Sequence, residues 1–332
     1  MFRLLSFIAA LWALLFQICV ASPILGANIE RNSLAKRDTI VGPKIGGANF
    51  ADPCILKVDF TWYAFATRTI GSSIHIQVAT STDFVNWNLV RNSDGSQWDA
   101  LPNLPKWVYA NSPNTWAPDV NRMDDGTFVM YYSASTSFST QHHCLGAATS
   151  KNILGPYTST SDNALICNIP AGGAIDPSGY NDNGQRYLLW KIDGNSDGKP
   201  TPIRITKVAK DGVTLQGQIS TILNNEGAAD GNIIEAPSLA KSASGTYFLF
   251  FSPGLFTTSR YSVSYATASN ILGPYTRNPT PMIATGTDGL TSPGGADIDH
   301  DASHVVFHAN SKSGRSMYTA RLTLNGNTAS IG

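Results

Sequence analysis

The chain has 332 residues, and its 23 Lys and Arg residues balance its 23 Asp and Glu residues. It offers no basic stripe to neutralise phosphates, which argues against a nucleic-acid partner. Charged residues make up only 14% of the chain and aromatic residues 10%, a composition often found in secreted proteins that hold neutral, hydroxyl-rich ligands.

The N-terminal segment has the pattern of a secretory signal peptide. Arg3 precedes a largely apolar run over residues 4–20, and a small-residue cleavage site follows. Further along, Lys36-Arg37 offers a dibasic processing site. We therefore predict a secreted protein without a membrane anchor, made as a signal peptide (residues 1–21), a propeptide (residues 22–37) and a mature chain (residues 38–332).

Five segments of the mature chain repeat one pattern, an acid followed by a short apolar stretch, a turn and a β-prone run. Their turns are rich in residues that accept positive φ, as hairpin turns require. The segments are "ADPCILKVDFTWYAFAT" with Asp52, "APDVNRMDDGTFVMYYSAS" with Asp119, "IDPSGYNDNGQRYLLWKI" with Asp176, "EAPSLAKSASGTYFLFFSP" with Glu235 and "GADIDHDASHVVFHANS" with Asp297.

The segments after the hairpins are also alike, which indicates a third strand in most units. "GAATSKNILGPYTS" at residues 146–159 and "SYATASNILGPYTR" at residues 264–277 are near duplicates. Units of about sixty residues have the size of one four-stranded propeller blade plus loops. We therefore predict an all-β, single-domain five-bladed β-propeller in which each blade packs against its neighbours. A closed ring needs no partner for stability, so we expect a monomer.

In such a ring, the acid at the end of each innermost strand points into a shared central funnel. Carboxylates crowded in a partly dry pocket repel one another, so some are driven to the protonated form while others stay ionised. One carboxyl that donates a proton and another that accepts one are the groups that break a glycosidic bond. The repeat therefore favours a carbohydrate-cleaving enzyme.

Three motifs in this order resemble glycoside hydrolase family 43: "ADP" with Asp52, "WAPDV" with Asp119 and "EAPSL" with Glu235. The resemblance covers the chain from about residue 40 to its end, and it implies inverting hydrolysis. Asp52 would be the general base that activates water, and Glu235 the general acid. Asp119 would modulate the pKa of that acid and orient it. For inversion, the base and the acid should lie about 6.5–9.5 Å apart.

Three further residues are candidates for substrate binding. Trp116 lies three residues before Asp119 and could stack on a sugar face. Arg315, in "SGRSMYTARL", occupies the place where many family members have an arginine that reaches the sugar hydroxyls, although Arg260 and Arg321 compete for this role. Asp176 could contact substrate or only cap its strand.

The resemblance implies a hydrolase of arabinose-containing plant cell-wall polysaccharide. Within the family we rank α-L-arabinofuranosidase and exo-arabinanase first, with β-xylosidase and endo-arabinanase as alternatives. A carbohydrate-binding propeller that has lost activity is a further alternative, but the presence of all three acids argues against it. A retaining fructan-cleaving propeller is disfavoured because "NFADP" lacks the Asn-Asp-Pro context of that group.

The cysteines and histidines give little sign of a metal site. Cys144 and Cys167 could close one loop, which would leave Cys54 as a free thiol, and the chain has no CxxC motif. Several arabinanases of the family have Pro-Gly-His in the last blade, where the histidine helps to hold a metal, but this chain has Gly295 at that position. We therefore expect no cofactor and no catalytic metal, and the glycine argues against a channel Ca²⁺ or Na⁺.

Overall fold

A computed structural model describes residues 39–332, and these residues form five antiparallel sheets arranged as a five-bladed β-propeller. The predicted signal peptide and propeptide lie outside the described residues. The first strand is β1 (Ile40–Val41). Blade 1 contains β2 (Cys54–Val58), β3 (Thr61–Ala66), β4 (Gln77–Ser81) and β5 (Asn88–Leu89). Blade 2 contains β6 (Trp116–Arg122), β7 (Phe128–Thr136), β8 (Ser139–Ser150) and β9 (Thr158–Ser159).

The remaining three blades follow in chain order. Blade 3 contains β10 (Ala174–Asp182), β11 (Gln185–Ile192), β12 (Ile203–Val208) and β13 (Leu215–Leu223). Blade 4 contains β14 (Ile234–Lys241), β15 (Tyr247–Pro253), β16 (Ser264–Ala268) and β17 (Thr276–Arg277). Blade 5 contains β18 (Gly294–Ile298), β19 (His304–Ser311), β20 (Gly314–Asn325) and β21 (Thr328–Ile331).

Helical structure in the described part of the chain is limited to short 3₁₀ turns, at Ile45–Gly47, Ile169–Ala171, Gly194–Asp197, Gly227–Asp230 and Thr287–Gly289. None of these helices has the length and apolarity needed to cross a membrane. The predicted hairpin turns between the first two strands of blades 2 to 5 are confirmed, since each contains a residue with positive φ, at Gly126, Gly184, Gly245 and Ala302.

The two ends of the described chain meet in blade 5 and close the ring. Strand β1 pairs with β20, with Ile40 opposite Ala320, so the start of the propeller completes its last sheet. Strand β18 of blade 5 in turn contacts β2 of blade 1. The ring is therefore fastened by backbone hydrogen bonds as well as by packing.

Apolar side chains fill the space between neighbouring blades because successive residues of a strand point to opposite faces of its sheet. In β7, Tyr132 packs toward blade 1, whereas Tyr131 packs toward blade 3. In β15, Phe250 joins the cluster with blade 5 and Phe251 the cluster with blade 3. Each sheet thus buries both of its faces, as the repeat predicts.

The cysteines pair as the sequence suggests. Cys144 in β8 forms a disulfide with Cys167, and Cys54 keeps a buried free thiol. The disulfide ties β8 to the segment that leads into blade 3.

Candidate active site

Every innermost strand begins with the same irregular turn, which aims its side chains into the channel. In blades 2 to 5 the pairing with the second strand slips at this point, forming a β-bulge. One residue there has positive φ in each of the five blades: Asp52 (48°), Ala117 (43°), Asp176 (56°), Ala236 (52°) and Gly295 (57°). These five residues, rather than the five acids, are the equivalent positions of the repeat.

The acids therefore stand at three levels of the channel. Asp52 and Asp176 are at the bulge itself, and Glu235 is one residue before it. Asp119 and Asp297 are two residues beyond it. All five line one pocket of about 50 Å³, so the prediction of a shared funnel is confirmed. We call Asp52, Asp176 and Glu235 the upper carboxyls, and Asp119 and Asp297 the lower pair.

Asp52 is held as an ionised carboxylate. Arg315 donates from Nη1 to Oδ1 at 2.7 Å, and Thr67 donates from Oγ1 to Oδ2 at 2.6 Å. Burial raises the pKa of Asp52, but the charge of Arg315 and these hydrogen bonds outweigh burial and hold the pKa below its ordinary value. A carboxylate in this state can accept a proton.

His308 holds the backbone of Asp52. Its Nδ1 accepts a hydrogen bond from the backbone N–H of Asp52 at 3.1 Å, and its ring is fully buried against Tyr261. Burial and then the charge of Arg315 lower the pKa of His308 to about 3, so the ring is neutral. Its 3.3 Å approach to the Asp52 carboxylate is therefore not an ion pair. A Cβ at Gly295 would lie 2.6 Å from this ring, so the ring takes the room that a side chain at position 295 would need.

Glu235 lies between a cation and a second carboxyl. Lys191 donates from Nζ to Oε2 of Glu235 at 3.1 Å. Burial and then the charge of Glu235 raise the pKa of Asp176 to about 8. Burial and repulsion from Glu235 therefore keep a proton on Asp176 that an isolated carboxyl would lose well below neutral pH.

The lower pair is arranged differently from the sequence expectation. Asp119 accepts hydrogen bonds from Asn121 and from the backbone N–H of Gly179, each at 2.6 Å. Burial raises the pKa of Asp119 to about 6. The carboxyl that interacts with Glu235 is Asp176, because the bulge carries position 119 two residues further along the channel. The geometry thus gives Asp119 no support as the modulator of the acid.

Of the predicted substrate-binding residues, Asp176 is itself an upper carboxyl, and Arg315 contacts another, Asp52. Trp116 stands one residue before its bulge, as Glu235 does, and is half-buried against the ring of His143 at 4.3 Å. Arg315 reaches Asp52 and lies 4.5 Å from the ring of Phe256. The alternatives do not share this position, since Arg260 donates to the carbonyl of Ala229 and Arg321 is exposed opposite His304.

Sequence reasoning gave no role to Lys191 or to His308. One signal for Lys191 was present, because a lysine interrupts the apolar run "YLLWKI" of a strand that should be buried. His308 gave no comparable signal, since its contact with Asp52 depends on the closure of the ring.

Comparison with known proteins agrees with this architecture. The family model described as "Glycosyl hydrolases family 43" matches residues 45–327. A solved structure described as a thermostable family-43 glycoside hydrolase superposes with a TM-score of 0.74 over 88% of this chain and 95% of that chain, at 23% identity. At this identity the superposition shows a shared fold only.

Two curated relatives are named as arabinanases. An extracellular endo-alpha-(1->5)-L-arabinanase of Thermotoga petrophila is 29% identical over 68% of this chain and 50% of its own length. Extracellular endo-alpha-(1->5)-L-arabinanase 2 of Bacillus subtilis is 24% identical over 79% of this chain and 56% of its own length. The chain thus spans about half the length of these relatives.

Proposed function

The chain belongs to glycosyl hydrolase family 43, and on that premise we propose that it is a secreted, inverting glycosidase that cleaves arabinose-containing plant polysaccharide. The observation that carries the proposal is the contrast between the upper carboxyls. Asp52 is kept ionised by Arg315, whereas burial and the charge of Glu235 keep a proton on Asp176.

Asp52 is the general base in this proposal. It removes a proton from a water molecule as that water attacks the anomeric carbon of the sugar. Its lowered pKa, together with its bonds to Arg315 and Thr67, supports an acceptor that is ionised across the physiological range. The neutral ring of His308 fixes the backbone of this residue without competing for the proton.

Glu235 is the general acid that protonates the leaving oxygen. We assign the role of modulating and orienting this acid not to Asp119 but to Asp176. Its carboxyl interacts electrostatically with Glu235, and its Oδ2 accepts the backbone N–H of Ala236 at 2.9 Å, directly after the acid. Asp176 therefore acts on both the charge and the position of Glu235. The roles of Arg315 and Trp116 in binding sugar remain as predicted.

Linear α-1,5-arabinan is the first candidate substrate. Both relatives are named endo-arabinanases, so we rank endo action ahead of the exo action that was expected from the sequence. Exo-arabinanase, α-L-arabinofuranosidase and β-xylosidase follow. The names of both relatives, the signal-like N-terminus and the Cys144–Cys167 disulfide support secretion.

Incubation with linear arabinan, aryl arabinofuranoside and aryl xyloside tests the substrate. Endo action predicts a ladder of arabino-oligosaccharides from arabinan at early times, whereas release of arabinose alone would reverse the ranking. The matched control is Glu235→Gln, which should bind arabino-oligosaccharide but cleave arabinan about 10³-fold more slowly than the wild-type protein. A wild-type protein that binds these sugars and cleaves none would support the binding propeller instead.

A further inference from the structure

One position reaches from each blade into the bulge of the next blade; it lies on the second strand in blades 2 to 5 and directly after that strand in blade 1. The residues at this position are Thr67, Ser133, Lys191, Ser252 and His308. Four of them accept the backbone N–H of the next bulge residue, at distances of 2.9, 3.0, 3.0 and 3.1 Å; the pairs are Thr67 with Ala117, Ser133 with Asp176, Ser252 with Gly295, and His308 with Asp52. The repeat therefore uses this position to hold neighbouring blades together.

Lys191 is the exception. A lysine ammonium has donors only and cannot accept a backbone N–H. The N–H of Ala236 is instead bound by Asp176, and Lys191 donates to the side chain of Glu235. The fold thus departs from its own repeat at the blade boundary that carries the acid.

Lys191 is buried as a charged group. Its side chain is 1% exposed, with Nζ 3.1 Å from Glu235 Oε2 and 3.6 Å from Asp193 Oδ1. A buried ammonium is stable only when carboxylates compensate it, and their charges outweigh the burial that by itself lowers the pKa of Lys191. Asp193 is shared with His143, whose Nδ1 lies 2.9 Å away. The other ionisable groups that interact with Glu235 are Asp176, Arg315 and Tyr261.

We propose that Lys191 is a positioning residue that stabilises the carboxylate of Glu235 as it forms and holds Oε2, leaving Oε1 to face the leaving oxygen. The inference rests on the proposed function. In the step concerned, the proton of Glu235 passes to the glycosidic oxygen, and the bond from that oxygen to the anomeric carbon breaks with its electron pair on the oxygen. Water bonds to the carbon and gives its proton to Asp52. Lys191 thus places a positive charge 3.1 Å from Oε2 of Glu235, whereas Asp176 places a second carboxyl beside the same residue.

The test is the pH dependence of kcat in Lys191→Ser, because serine occupies the equivalent position in blades 2 and 4. Without the ammonium the acid is weaker, so the alkaline limb of the kcat profile should move up by about one pH unit. A weaker acid also donates more slowly, and kcat on the acid side of that limb should fall about tenfold or more, with KM changing less than about threefold. Lys191→Arg should restore most of the loss, since it keeps the charge.

The matched control is Lys241→Ser, which removes a lysine that bonds Asp182 and Tyr247 away from the upper carboxyls. It should leave the pH profile unchanged. If thermal unfolding shows that Lys191→Ser does not fold, the pH dependence of kcat is measured in Asp193→Asn instead. That change frees Lys191 from a competing carboxylate and should move the alkaline limb down.

The proposal is overturned if the alkaline limb of the kcat profile stays in place in Lys191→Ser. If Asp193→Asn is measured in its place, an unchanged limb in that variant overturns the proposal as well. So does a loss confined to KM. These outcomes differ from failure of the proposed function, in which the wild-type protein cleaves no arabinoside or xyloside.

Discussion

The two groups of carboxyls in the channel differ in how their charge is handled. In the upper carboxyls, Asp52 has Arg315 and Glu235 has Lys191 within hydrogen-bond distance. In the lower pair, no cation of the described residues pairs with Asp119 or Asp297. Burial raises the pKa of Asp119 to about 6, and burial together with the charge of Asp119 raises that of Asp297 to about 8.

The two carboxyls that we assign as base and acid therefore have cationic partners, whereas the lower pair joins neighbouring blades. Asp297 accepts the N–H of Ile55 in blade 1 and the hydroxyl of Ser238 in blade 4, so it joins three blades. Asp119 likewise joins blade 2 to Gly179 of blade 3. Carboxyls that only cross-link can stay protonated, whereas a general base needs a cation to remain ionised in a buried place. The same residue type in one channel thus serves two purposes.

The largest expected effect comes from removing the base or the acid. Asp52→Asn and Glu235→Gln should each lower kcat by about 10³-fold, since general acid–base catalysis contributes about 10²–10⁴-fold. Both variants should still bind arabino-oligosaccharide, as measured by calorimetry. Turnover within about tenfold of the wild-type rate in either variant would remove that residue from its assigned role.

A matched pair of variants compares the two groups directly. Asp176→Asn should move the alkaline limb of kcat down by about one pH unit, because the repulsion that keeps a proton on the Asp176–Glu235 pair is gone. Asp119→Asn should leave that limb in place. The reverse result would return the modulating role to Asp119.

The smallest effect is one of stability. Because the pKa of Asp297 is about 8 in the folded protein and 3.8 ordinarily, the folded state binds the extra proton between these values, and its stability falls as pH rises through that range. Asp297→Asn removes this dependence, and its amide can accept the Ile55 N–H with its oxygen and donate to the Ser238 hydroxyl with its nitrogen. The variant should therefore gain about 1–2 kcal/mol relative to wild type between pH 5 and pH 8 in denaturant unfolding. An equal difference at both pH values would mean that Asp297 is ionised throughout.

The sequence was sufficient for the fold because the repeat encodes it locally. Each hairpin turn and alternating strand of the five segments appears in its predicted blade, and the Cys144–Cys167 pair is bonded. The depth of each acid in the channel could not be predicted from the sequence. When the segments are aligned on their acids, Asp119 and Asp176 appear equivalent, although Asp176 is at the bulge and Asp119 is two residues beyond it. Lys191 was missed for a related reason. The lysine in the apolar run "YLLWKI" was a signal, but its partner Glu235 could be assigned only once its equivalents in the other blades were known.

The central claim is that Asp52 activates water for direct attack on the sugar while Glu235 protonates the leaving oxygen. Proton NMR of linear α-1,5-arabinan during early hydrolysis tests it in one measurement. Inversion predicts that the new reducing end first appears as the β-anomer and converts to the equilibrium mixture only later. First appearance of the α-anomer would mean that an enzyme carboxylate attacks the sugar, and would contradict the roles assigned to the upper carboxyls.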